Sequence, residues 1–419
     1  MLLPYRKSAT KQSPAMLPLS EGRGKGPRFR PVFAALACFL LLCGCGGKAQ
    51  QDASAAAPTE PAEAAAPSPA PTPSPAPTPT HTPPPLRKVT LRGDSAEEIL
   101  ALLSESALEY VDASASSYYE ELLRLHEAVP GAVIEYSVDL GGAAVSSLDT
   151  EVKLEEGNEV TPQELAEKLG WLPWLEKIDI VALDWENEDS LTVVERNPSV
   201  RVVWPVHFYR YTVPSDITCF STLPYSGIHA ETLEPLFTYC TDLVALDVGH
   251  QRIISLEPFR NLKKLKVLII ADAQVSDLSP LEDLAELEYL EVFINNGIAD
   301  FSPLAKLTKM KDLNVSYCRL LDNLEFLKTM PDLEMGWFTQ SQSALTKEQT
   351  EEAVAMHPDC TFMFRNGRES TGDGWRQSER NIEIRRAFTN WKNVVKFVSW
   401  DDVTYREGAE LIYVGPKKY

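Results

Sequence analysis

The chain has 419 residues, enough for about two or three compact domains or one elongated solenoid, and 44% hydrophobic content supplies an ordinary core. Its formal charge is −20. Residues 1–44 hold seven basic residues (Arg6, Lys7, Lys11, Arg23, Lys25, Arg28, Arg30) and the single acid Glu21, so the remainder carries 33 basic and 59 acidic side chains, net −26. A body that acidic repels phosphate backbones and anionic headgroups, which argues against a nucleic-acid partner. Cys38, Cys43 and Cys45 sit in an N-terminal apolar segment, while Cys219, Cys240, Cys318 and Cys360 are far apart and form no C-x-x-C pair. That pattern speaks for buried free thiols, against a zinc site or a dense disulfide framework.

Arg28 and Arg30 precede an apolar run, Pro31 to Leu42, that is too short to span a bilayer. A basic flank, a short apolar core and small residues beyond it are the layout of a secretory signal. Leu42-Cys43-Gly44-Cys45 resembles a bacterial lipobox, and the resemblance implies cleavage before Cys45 and lipidation of its thiol. Several acyl chains at about 0.8 kcal/mol per buried methylene hold where one would not. Residues 45–86 follow as the lipid anchor and an Ala/Pro/Thr-rich linker. Successive prolines fix φ and remove donors, giving a polyproline-like spacer of about 3.1 Å per residue.

Residues 87–242 read as degenerate α/β repeats. At an offset of 68, Pro130, Tyr136, Val138, Val145, Ile178 and Ile180 fall on Pro198, Trp204, Val206, Val213, Leu246 and Val248. Each unit reads as a helix, a proline-stopped turn, a β-rich stretch and another helix. Glu120 to Ala128 has helical apolar spacing stopped by Pro130, and Val133 to Val138 alternates like a strand. Thr161-Pro-Gln-Glu164 starts a helix through a capping box with proline in the first turn. The phrase Pro-x-x-x-apolar-x-aromatic occurs at Pro130, Pro198 and Pro358, which makes 87–242 and 345–365 turns of one superhelix. A separate α+β domain before the repeats is the competing reading.

Residues 243–340 carry the strongest signal. Leu243-x-x-Leu246-x-Val248, Leu265-x-x-Leu268-x-Ile270, Leu287-x-x-Leu290-x-Val292, Met310-x-x-Leu313-x-Val315 and a frayed Leu333-x-Met335 begin 22, 22, 23 and 23 residues apart. A fixed period in this range marks a solenoid of leucine-rich repeats. The return segments Leu278-Ser-Pro-Leu281 and Phe301-Ser-Pro-Leu304 resemble those of internalin-like bacterial repeats. The resemblance implies an α/β solenoid with parallel strands on the concave face, short helices or 3-10 turns on the convex face, and a C-terminal cap. The usual asparagine after the strand occurs only as Asn295; Gln251, Ala273 and Cys318 stand in its place, so an incomplete side-chain ladder is expected.

Strands alternate their side chains. If Leu268 and Ile270 face the core, the opposite parity forms a concave grid of Asp247, Val267, Ile269, Tyr289, Glu291, Phe293, Asp312 and Asn314. Its apolar middle and charged edges are those of a protein-binding patch, provided that no loop or C-terminal segment covers them.

Catalytic patterns are missing. No G-x-S-x-G, H-E-x-x-H or P-loop occurs, the six histidines are scattered, and no Asp-x-Asp-x-Asp loop is present. No cofactor or metal is expected.

Residues 341–419 open with a helix from Thr346, then present Gly372-Asp-Gly-Trp375-Arg376 and the run Arg380, Ile384, Arg385, Arg386, Phe388 and Trp391. This resembles the tail after the repeats in clostridial-type surface lipoproteins. Trp375, Phe388 and Trp391 are expected to cover the last strand, with the arginines paired to the acidic body. Two β-like runs, Val394 to Trp400 and Glu410 to Val414, end the chain.

The sequence leads to the expectation of a non-enzymatic, monomeric recognition protein, secreted and lipid-anchored to the outer face of a bacterial cytoplasmic membrane. It meets the membrane through its N-terminal lipid only and binds a protein partner through the concave grid. A carbohydrate or cell-wall-polymer binder using exposed aromatics is the first alternative, and a glycosidase with an unmarked carboxylate pair is the second.

Overall fold

A computed structural model describes residues 87–92, 95–105, 107–339, 341, 345–364 and 374–415. The expected signal segment, the expected lipidation site Cys45 and the expected proline-rich linker lie outside these residues. Among the described residues no helix is long and apolar enough to cross a membrane.

The chain coils so that one strand per turn joins a parallel ladder. The first sheet is β1 (Arg87–Thr90), β2 (Leu108–Asp112) and β3 (Val133–Glu135), with helices α1 (Ala96–Ala101) and α2 (Tyr119–Ala128) between the strands. An antiparallel hairpin of β4 (Ser137–Leu140) and β5 (Ala143–Ser146) interrupts it. The second sheet is β6 (Glu151–Lys153), β7 (Lys177–Asp179) and β8 (Arg201–Val203), connected by α3 (Pro162–Lys168) and α4 (Asn187–Arg196). A second hairpin, β9 (Pro205–Phe208) with β10 (Tyr211–Pro214), leads to the third sheet. That sheet has seven parallel strands: β11 (Cys219–Ser221), β12 (Ala245–Asp247), β13 (Val267–Ile269), β14 (Tyr289–Glu291), β15 (Asp312–Asn314), β16 (Met335–Trp337) and β17 (Thr361–Met363). Helix α5 (Ala230–Tyr239) links β11 to β12, and α6 (Lys347–Met356) precedes β17.

The 68-residue offset holds element by element. Helix α2 maps onto α4, β3 onto β8, both strands of the first hairpin onto the second, β6 onto β11 and β7 onto β12. The three proline phrases each land on a strand, β3, β8 and β17. One core runs through the whole of this, from Leu91 to Phe397.

In the strong repeats the convex return is a 3-10 turn with proline in its first turn: Glu257–Asn261, Ser279–Asp283 and Ser302–Lys306. Proline fixes φ for entry, and the N–H it removes is one that a first turn leaves unpaired. Asp277 and Asp300 accept from the amides of Ser279 and Ser302, both at 2.8 Å. The third residue beyond each strand is left-handed: His250, Asp272, Ile294 and Tyr317, with φ from 52 to 64°.

The side-chain ladder differs from expectation. Asn295 is buried and makes four bonds, accepting from Ala273 and Val275 amides and donating to Ile270 and Val292 carbonyls, at 2.8 to 3.1 Å. Gln251 fills the same slot two coils earlier: its Oε1 accepts from Ile228, and its Nε2 donates to Thr222, Tyr225 and Gly249. Cys318 offers only a 3.4 Å Sγ contact to Val292, while Ser341 accepts from Cys318 and donates to Val315. Only Ala273 contributes no side-chain bond, and Asn295 serves its amide. The expected thiols are free, with Cys219, Cys240 and Cys318 buried.

After residue 374 the chain forms a 3-10 turn, Trp375–Gln377, then α7 (Glu379–Thr389) and a final antiparallel pair, β18 (Val394–Ser399) and β19 (Asp402–Tyr405). The run Glu410 to Val414, expected as a strand, has no strand structure.

Candidate functional site

The concave grid forms in register: Ala245, Val267, Tyr289 and Asp312 make one row, and Asp247, Ile269, Glu291 and Asn314 the next. Its accessibility is the correction. Val267, Tyr289, Glu291, Asp312 and Asn314 are 0% exposed, and Phe293, Ile269 and Asp247 only 5, 6 and 7%. The eight candidate contact residues are therefore core, because the C-terminal segment crosses the face they form.

The occupant is held by charge. Glu291 receives a bidentate pair of bonds from Arg376, Nη1 to Oε1 and Nη2 to Oε2, both 3.0 Å. Its Oε1 also accepts from Trp375 Nε1 at 3.0 Å, from Asn381 at 3.4 Å and from the Tyr289 hydroxyl. Asn381 in turn donates to the Tyr289 oxygen at 2.6 Å. One strand over, Arg380 joins Asp312 and Glu334 and lies 4.4 Å from the Trp400 ring centroid. The Trp375 ring sits between Tyr289 and Trp337, at 5.5 and 5.4 Å between centroids. On α7, Asn381, Ile384, Ala387 and Phe388 are buried at helical spacing. Trp391 then packs on Phe220 of β11 at 4.7 Å. The tail thus closes the concave side, running from β16 back to β11, rather than covering the last strand.

Burial raises the carboxyls that lack a full donor set. Asp312 is pushed up to about 7 by burial against the pull of Arg380, and Asp247 to about 6 by burial against its bond from the Gly249 amide. Among the described residues no group of three His, Cys, Asp or Glu could hold a metal ion.

A second surface was not singled out by the sequence. At the tip of the β9–β10 hairpin, Tyr209 is 47% exposed, with Leu223 and Tyr225 beside it at 46 and 38%. The Tyr209 and Tyr225 rings meet edge to face at 5.9 Å, and the Arg210 guanidinium lies 5.6 and 5.9 Å from their centroids. Tyr211 and Trp391 continue the aromatic surface inward, 5.9 Å apart. The signal was present as the dense run Phe208-Tyr-Arg-Tyr211. Its meaning comes from the internal duplication. The equivalent turn of the first hairpin is Gly141-Gly142, with φ of 66 and 93°, whereas the second places Tyr209 at φ 50°. A left-handed backbone costs a side chain about 1–2 kcal/mol that glycine avoids. The second hairpin therefore carries an exposed ring where its own twin carries the residue that the turn favours.

No protein-family model and no curated protein matches the chain. Among solved structures, an internalin of Listeria monocytogenes is similar at 19% identity over 66% of this chain and 91% of its own, with a TM-score of 0.33. Internalin C2 of the same organism is similar at 17% over 54 and 85%, with a TM-score of 0.27. A leucine-rich-repeat protein of Leptospira interrogans gives 11% over 63 and 74%, also at 0.27. By its own repeat spacing and its seven-stranded parallel ladder, the chain is a leucine-rich-repeat solenoid.

Proposed function

We propose that this is a non-enzymatic recognition protein that binds a protein partner at the cell envelope, carried on a lipidated Cys45 and a proline spacer. The binding surface in this reading is the aromatic–arginine patch at the β9–β10 tip, not the concave grid. The observation that carries it is Tyr209: a half-exposed ring held in a backbone conformation that suits glycine, beside an arginine and a second exposed tyrosine. Backbone strain of this kind gathers at functional sites, and Tyr with Arg is the composition of interface hot spots. The non-enzymatic part is supported by the concave carboxylates, since Glu291 and Asp312 are buried and tied to Arg376 and Arg380.

The test is Tyr209→Gly in the full chain. Glycine removes the strain and little buried area, so the thermal midpoint stays at or above the original value. A photo-crosslinking side chain at position 209 in intact cells yields one discrete cross-linked protein, lost on Arg210→Glu. The same group at Ile254, exposed to 66%, yields none. A stability loss of more than about 2 kcal/mol on Tyr209→Gly would make the ring a packing residue and end the proposal.

A further inference from the structure

An open cleft of about 720 Å³ lies where the strand-leading edge of the solenoid meets β18. Six cations line it: Lys177, Arg201, Lys263, Lys264, Lys266 and Lys396. Against them stand three carboxylates, Asp216, Asp242 and Glu286. In a chain whose body carries −26, a cationic excess gathered in one concavity is a local reversal of the field.

The ion pairs do not cancel it. Arg201 and Lys264 share one carboxylate, Asp242. Lys266 shares Glu288 with Lys311, and Lys263 shares Asp283 with Arg260. Lys177 stands 3.8 Å from Asp216. Among the described residues Lys396 has no ion-pair partner. The cations remain reachable, with side-chain exposure of 56% at Arg201, 57% at Lys263 and 63% at Lys264.

The geometry is that of a track rather than a point. Lys177 and Arg201 are in register on neighbouring strands, about 4.8 Å apart, Lys263, Lys264 and Lys266 lie together on the approach to β13, and Lys396 stands across the cleft on β18. The opposite wall is β18, whose Val395 and Val398 present apolar surface and whose Phe397 amide is pinned to Thr218 Oγ1 at 2.8 Å. Cations set apart along a cleft with apolar residues on its far wall suit an extended ligand with more than one anion and a carbon backbone. Five of the six cations are lysines, which meet phosphate as point charges, whereas a planar carboxylate favours the arginine fork. A duplex or a bilayer surface would meet the acidic body on either side; a single narrow chain would not.

We propose that this cleft binds a narrow, phosphodiester-linked polyol polymer. The probe is a synthetic poly(glycerol phosphate) oligomer titrated into the full chain at low and moderate salt. It binds, and added salt weakens it, as expected for counterion release. Lys264→Glu with Lys396→Glu weakens binding by about tenfold or more, whereas Lys347→Glu, 72% exposed on α6, changes it by less than about twofold. Lys396→Ala alone, at an exposed position of the terminal hairpin, weakens it several-fold without touching an ion pair, which guards against misfolding of the double variant. No binding by the original chain overturns the proposal, as does an equal loss in Lys347→Glu. Equal affinity for polyglutamate or inorganic phosphate, or binding only to phosphatidylglycerol vesicles, also overturns it.

Discussion

Breaking the Glu291–Arg376 pair should unseat the C-terminal segment. Glu291 is wholly buried, Arg376 is 16% exposed, and two 3.0 Å bonds join them. Arg376→Met leaves a buried carboxylate with only neutral donors, Trp375, Asn381 and Tyr289. Glu291→Gln leaves a buried guanidinium facing an amide. Each orphaned charge costs about 3–5 kcal/mol, a large part of a stability of about 5–15. The double variant removes both charges, so it costs less than the sum by about 0.5–3 kcal/mol. Urea unfolding followed by circular dichroism gives the three free energies. If both single variants lose less than about 1 kcal/mol and add without coupling, the pair behaves as a surface salt bridge and the filled face is refuted.

Three other outcomes follow from buried groups. Asp312 and Asp247 are raised to about 7 and about 6 in the folded chain, above about 3.9 when unfolded. The folded state therefore holds protons that the unfolded state releases; this contribution is full below about pH 4 and is lost as pH rises through 6 to 7. Asp312→Asn should flatten the decline in urea midpoint between pH 5 and 8, and an unchanged slope would contradict the assignment. In the ladder, Asn295→Ala leaves two amides and two carbonyls without their partner and should cost at least about 3 kcal/mol. Cys318→Asn restores bonds that sulfur makes poorly and should raise stability by about 0.5–2 kcal/mol, both read from unfolding curves.

The repeats were legible because leucine spacing, turn prolines and strand parity are local, and every coil repeats them. The 68-residue offset was legible for the same reason: Pro130 and Pro198 mark corresponding turns. What covers the concave face was not legible. Glu291 and Arg376 are 85 residues apart in sequence, and nothing near Glu291 distinguishes a carboxylate awaiting a partner from one already bridged. The apolar middle of the grid, Val267, Ile269, Tyr289 and Phe293, reads equally as a docking patch and as a core beneath α7. In the sequence Gln251 departs from the asparagine ladder, and its extra methylene gives no hint of its reach, which only the positions of Thr222 and Tyr225 reveal. The patch at Tyr209 needed the aligned hairpins, since the strain shows only against Gly141.

Amide hydrogen exchange across α7, compared with β14, tests the filled concave face most directly. Residues 382–389 should exchange as slowly as 289–291, since the helix is bonded to that strand through Asn381 and the turn before it through Trp375 and Arg376. Exchange of α7 at the rate of a free peptide, with β14 still protected, would mean that the face stands open.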